Sequence, residues 1–252
     1  MNAGPIPRCM VDLVSADDDR MYQVSLLQAL AAGDYHGLAS MDELKEHGDT
    51  GIGTFDRLDG EMIMLDGSVF KASGDGSVQE VREDTSPFAC VGRFRCDSSV
   101  RISADSFADM TAGLDRSIHD RRNMVHMLRI DAVFDSVEIR SVPGQSEPYE
   151  PLAKTLAEQQ RVWTHRDICG TAIGVYCPSY LRTVNNSGWH LHFISDDRHI
   201  GGHILDLSLS DAECRLCRFG GLEIRLPDND RFSSLDLSDD MRDDIRRIEG
   251  NQ

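Results

Sequence analysis

Short apolar runs separated by polar turn dipeptides recur along this chain, and that pattern predicts more strand than helix. From Gly51 the run GIGTFDRLDGEMIMLDGSVFK reads as a β-meander, broken at Asp59-Gly60 and Asp66-Gly67, dipeptides suited to hairpin turns. Strand-like stretches continue over 78–81 and 88–94. Met124 to Val142 is long and rich in β-branched residues, so it reads as one strand bent near Asp131 and stopped by Pro143-Gly144. Further strands are expected over 169–176, 213–219 and 222–226. The period of 3.6 surfaces in fewer places. Met21 to Ala32 reads as a strand running into a short helix, and Met41 to Lys45 as a short helix stopped at Gly48. Phe107, Met110, Leu114 and Ile118 make one buried helical face, with a cap expected within Ser103 to Asp105. Leu152 to Ala157 follows the proline-rich PGQSEPYEP, and a last amphipathic helix starts at Ser238 with Leu237, Met241, Ile245 and Ile248 as its stripe. These elements predict an α+β fold: β-rich, mixed sheets forming two lobes, with a few short helices and a C-terminal helix. Residues 1–19, with Pro5, Pro7 and the run Asp17-Asp18-Asp19, read as a flexible leader. Residues 20–252 read as a single domain of two coupled β-rich lobes with their boundary near 143–151.

Charge narrows the function. The 252 residues carry 26 Lys and Arg against 43 Asp and Glu, a formal charge of −17, which repels nucleic acid and anionic membrane surfaces and excludes them as partners. An anionic small molecule would need a local positive centre, a metal or a buried arginine. No apolar run reaches the roughly 18 residues of a membrane span, and the N-terminus lacks the pattern of a signal peptide, so a cytoplasmic protein is expected. Seven irregularly spaced cysteines fit reduced thiols. The lone Cys214-Arg-Leu-Cys217 has no second pair beside it and reads as structural.

Four of the nine histidines fall between Trp189 and Asp206, in WHLHFISDDRHIGGHILD. On a strand His190 and His192 share one face, while Trp189, Leu191 and Phe193 pack on the other. A two-residue hairpin loop at Asp196-Asp197 would set His190 opposite His203, His192 opposite Gly201 and His199 opposite Ile194. That register selects His190, His192 and His203 as three converging imidazoles with an open side, the donor set of a catalytic zinc. A surface hairpin that happens to be histidine-rich is the competing reading. Three other positions stay open on their residues alone. Glu61 begins an apolar strand, either at a wet sheet edge or at the mouth of a site. Arg140 could pair with Glu138 on a surface or serve a substrate. Glu249 faces the negative end of the last helix, either solvated or offset by something positive.

Six segments in order resemble the acetolactate decarboxylases: GIGTF from Gly51, LDGEM from Leu58, PFA from Pro87, RSVPGQSEPYEPL from Arg140, GWHLHFI from Gly188 and HIGGH from His199. They span most of the chain after residue 20, and their order is specific where no single one is. The resemblance implies conversion of 2-acetolactate to acetoin and carbon dioxide in a homodimer, with zinc on the histidines matching His190, His192 and His203. It implies active-site roles for Glu61, Glu249 and Arg140, adds Thr54 as a residue lining the pocket, and leaves His199 outside the ligand set. Zinc would stabilise the enediolate left by decarboxylation, Arg140 would hold the carboxylate, and Glu61 or Glu249 would deliver a proton. Two alternatives remain: a cupin-like metal enzyme acting on another small oxo or hydroxy acid, and a non-catalytic zinc-binding module.

Overall fold

A computed structural model describes residues 19–237; most of the expected leader, the last helix and Glu249 lie outside the described residues. The strands are β1 (Arg20–Val24), β2 (Ala39–Ser40), β3 (Thr50–Thr54), β4 (Glu61–Leu65), β5 (Ser68–Ala72), β6 (Val78–Glu80), β7 (Thr85–Ser86), β8 (Ala89–Gly92), β9 (Ser98–Ala104), β10 (Val125–Ser141), β11 (Arg161–Cys177), β12 (Gly188–Ser195), β13 (Gly201–Phe219) and β14 (Gly221–Arg225). The α-helices are α1 (Leu27–Ala31), α2 (Met41–His47), α3 (Phe107–Ser117), α4 (Leu152–Gln159) and α5 (Asp230–Ser234). None of the helices described is long and apolar enough to cross a membrane.

Two sheets carry the architecture. The first runs β14-β1-β8-β3-β4-β5-β6, with β14 parallel to β1 and the other neighbours antiparallel. The expected meander is its β3-β4-β5 segment, and the Asp66-Gly67 turn forms with both residues at positive φ, 51° and 81°, as a two-residue hairpin requires. In the second sheet β10 pairs with β11 on one edge and with β13 on the other, so β10, β11, β12 and β13 close into a ring, with β9 beside β13.

The structure corrects several element limits. Strand β11 begins at Arg161 rather than 169, because it follows β10 residue for residue as far as Ser141. The expected strand over 213–219 is the far end of β13, a single strand of 19 residues whose polar positions are tolerated at a register shift between Leu209 and Ala212. The cap of α3 is Ser106, whose hydroxyl accepts the Asp109 N–H, since β9 occupies the chain up to Ala104.

Side-chain alternation decides which faces meet. On β4, Met62 and Met64 join the cluster under α2, while Ile63 and Leu65 join the cluster shared with the ring strands. Glu61 has the parity of Ile63, so it faces the ring. On β12, Trp189, Leu191 and Phe193 enter the core of the ring with α3, whereas Ile194 joins the cluster between the sheets. His190 and His192 have the parity of Ile194. The histidines of one sheet and the glutamate of the other therefore point into the same interlayer space.

Candidate metal and active site

Register across the ring assembles the site. His203 on β13 pairs with His192 on β12 and, on its other side, with Arg140 on β10. Directly paired residues share a face, so these three form one row, and His190 lies two positions before His192 on the same face. The observed hairpin differs from the expected one. Ser195 pairs through its N–H with the carbonyl of Ile200, leaving Asp196 to His199 as a four-residue loop. The Ser195 hydroxyl accepts from the N–H groups of His199 and Ile200, which stabilises the longer loop and offsets the left-handed backbone of Arg198, φ 61°. His203 is thus opposite His192 rather than His190, and Gly201 opposite Ile194. A shift of two residues preserves parity, so the same three imidazoles converge. His199 falls in the loop and is exposed. Gly201 faces no opening, since an added Cβ would meet the Phe193 carbonyl oxygen at 3.1 Å and Ile63 at 3.2 Å.

The three rings are buried, and His190 Nε2 stands 3.2 Å from His192 Nε2 and 2.9 Å from His203 Nδ1. Nitrogens bound to one tetrahedral ion at 2.0–2.1 Å lie about 3.3 Å from one another, so these separations fit a shared small cation. All three donor atoms lie within 4.8 Å of one another and could hold a metal ion. The Nδ1–H of His192 donates to the carbonyl of Met62 at 2.9 Å, which fixes its tautomer with the bare nitrogen toward the other rings. Burial, helped by the nearby Arg140 guanidinium, lowers His190 to about 3. Burial, with His190 and Arg140 adding to it, lowers His192 well below its ordinary value. Both imidazoles are neutral at neutral pH, the state in which a lone pair is available to a metal.

Around this centre Glu61 places Oε2 3.5 Å from His192 Nε2. Thr54 pairs with Glu61 across β3 and β4, and its hydroxyl donates to the carbonyl of Gly60 at 2.7 Å. Arg140 is 4% exposed, and its Nε has no hydrogen-bond partner among the described residues. All of these side chains line one cavity. Its remaining wall is apolar: Leu27 and Leu30 from α1, Leu152 and Leu156 from α4, with Leu58, Phe88 and Val142. The cavity has the ordinary composition of a small-molecule site, an apolar wall with a few convergent polar groups.

Glu61, Thr54, Arg140, His190, His192 and His203 are brought together; Glu249 is outside the described residues. Cys214 and Cys217 point to opposite clusters, as their odd separation on β13 demands, and so cannot chelate one ion. Burial pushes their thiols up to about 12 and about 11. Residue type and periodicity do not mark every contributor. The Met62 carbonyl is backbone and leaves no trace in residue type. Leu58 reaches the cavity through a left-handed backbone, φ 60° at Arg57 and 58° at Leu58, which side-chain periodicity does not encode.

Comparison with known proteins identifies the family. A family model described as alpha-acetolactate decarboxylase matches residues 21–239. The alpha-acetolactate decarboxylase of Methanosarcina mazei is 35% identical over 250 residues, covering 98% of this chain and 86% of that protein. That of Bacillus licheniformis is 34% identical over 248 residues, covering 96% of each. The crystal structure of alpha-acetolactate decarboxylase from Bacillus subtilis strain 168 superimposes with a TM-score of 0.87 at 33% identity, covering 92% of this chain and 100% of that one.

Proposed function

Because the chain belongs to the alpha-acetolactate decarboxylase family and is a decarboxylase of that kind, we propose that it converts 2-acetolactate to acetoin and carbon dioxide with zinc held by His190, His192 and His203. The observation that carries this reading is the row Arg140-His203-His192: a buried guanidinium beside a cluster of buried imidazoles, at least two of them held neutral, facing one cavity. Family membership displaces the cupin-like reading.

The substrate is a β-keto acid with a hydroxyl on the carbon that bears its carboxylate. Departure of carbon dioxide leaves an electron pair that must flow into the ketone oxygen. Bound zinc supplies a Lewis acid for that developing charge. The protein does the rest. Arg140, whose Nε is free of other partners among the described residues, accepts the carboxylate in its planar fork and sets the breaking bond perpendicular to the ketone plane. The apolar wall excludes water from the enediolate and strengthens every charge interaction inside. Glu61 or Glu249 then donates a proton to the enediolate carbon from one side, which fixes the chirality of acetoin. Thr54 restrains the turn before Glu61 through the Gly60 carbonyl.

The test is incubation with 2-acetolactate, acetoin measured by colour reaction and metal by elemental analysis. Acetoin formation with one zinc per chain is the expected result. Bound zinc without turnover would favour the non-catalytic module.

A further inference from the structure

Among the described residues Lys71 is the one buried lysine, and the chemistry above does not use it. Its Nζ lies 3.0 Å from Asp59 Oδ2, 2.8 Å from Asp84 Oδ2 and 4.5 Å from the centre of the Phe55 ring. Lys71 pairs with Met62, so it lies on the face of the first sheet away from Glu61 and cannot touch a substrate in the cavity. A buried ammonium is costly unless fully paired, and what it pairs with is informative. Asp59 stands two residues before Glu61. Its other oxygen, Oδ1, accepts the N–H of Gly144 at 3.0 Å, and Gly144 stands four residues after Arg140.

Two more bonds run alongside. The Gln145 N–H donates to the Arg57 carbonyl at 2.8 Å, and the Ser141 hydroxyl donates to the carbonyl of Ala72, the residue paired with Glu61, at 2.7 Å. The end of the Arg140 strand is thus laced to the turn that delivers Glu61. That turn needs outside support, since Arg57 and Leu58 both take left-handed φ without being glycine.

We propose that Asp59 is a positioning residue that fixes Glu61 relative to Arg140 by bridging Lys71 and Gly144, with Lys71 as its buried anchor. The two groups come from different sheets, and their relative placement decides which face of the enediolate meets the proton donor. The proposal rests on the decarboxylase reading with Glu61 as the proton donor.

Chirality gives a readout that loss of folded protein does not move. Acetoin made by the wild type, Asp59→Ala and Lys71→Met is resolved into enantiomers after subtraction of enzyme-free decarboxylation, with kcat, KM and metal content measured in parallel. Both variants are expected to keep one metal per chain, lose at least about tenfold in kcat and yield a larger share of the minor enantiomer. Lys71→Met places an apolar side chain beside Phe55 and serves where Asp59→Ala folds poorly. An unchanged enantiomer ratio in both variants overturns the proposal whatever the rate, because fewer folded molecules change the amount of product and not its handedness. A wild type that makes no acetoin overturns the decarboxylase reading and this inference together, whereas an active wild type with unchanged variants overturns the inference alone.

Discussion

His192, on the ring, donates its Nδ1 hydrogen to the backbone carbonyl of Met62, on the other sheet, at 2.9 Å. This one bond ties the histidine cluster to the strand that begins with Glu61, and it fixes which nitrogen of His192 carries the proton. Nitrogen NMR of chelator-treated protein should show His192 protonated at Nδ1 and bare at Nε2. Protonation at Nε2 would break the account of how the ring is oriented.

Arg140 is the second fixed point. Arg140→Ala should retain the metal and lose roughly 100-fold or more in kcat, about 2.7 kcal/mol of transition-state stabilisation. Arg140→Lys should recover little, because an ammonium lacks the planar two-pronged fork. Metal analysis with steady-state kinetics checks both, and a fully active lysine variant would reduce Arg140 to a plain positive charge.

Gly202 lets β13 and β10 approach at the point where His203 pairs with Arg140. A Cβ at Gly202 would lie 2.6 Å from the Arg140 carbonyl oxygen, and a backbone atom in a closed ring cannot move aside cheaply. Gly202→Ala should cost about 1–3 kcal/mol by overpacking and weaken metal retention. Chemical denaturation and metal titration of the variant measure these two effects.

Stability should also depend on acid pH through Glu43. Burial pushes this carboxyl up, but hydrogen bonds from Tyr22 and Arg225 outweigh burial and hold it below its ordinary value. A group depressed in the folded state contributes stability that is present at neutral pH and lost as pH falls through the folded value. The gap in unfolding free energy between wild type and Glu43→Gln should be on the order of 1 kcal/mol at neutral pH and close below the ordinary carboxylate range. A gap that widens in acid would contradict this.

The triad was legible because side-chain parity survives errors that register does not. A two-residue loop was expected at Asp196-Asp197, and the Ser195 hydroxyl instead closes a four-residue one, yet a slip of two returned His203 to the same face. Glu61 and Arg140 were ambiguous on their own residues, since a strand-edge carboxylate and a surface ion pair look the same in sequence; their segments became specific only in order, through the family resemblance. Other features left no such signal. The return of β14 to lie parallel to β1 joins residues about two hundred positions apart, and the polar alternation of β13 disguised one long strand as two. Lys71 reads as any lysine on an alternating strand, and only its burial between Asp59 and Asp84 sets it apart.

The central claim is that His190, His192 and His203 hold one catalytic metal. Protein stripped with a chelator and titrated with zinc should regain acetoin formation linearly up to one equivalent per chain, while His190→Ala treated in the same way should neither bind the equivalent nor recover activity. Full activity in the stripped protein, or a His190→Ala variant that binds zinc and turns over like the wild type, would contradict it.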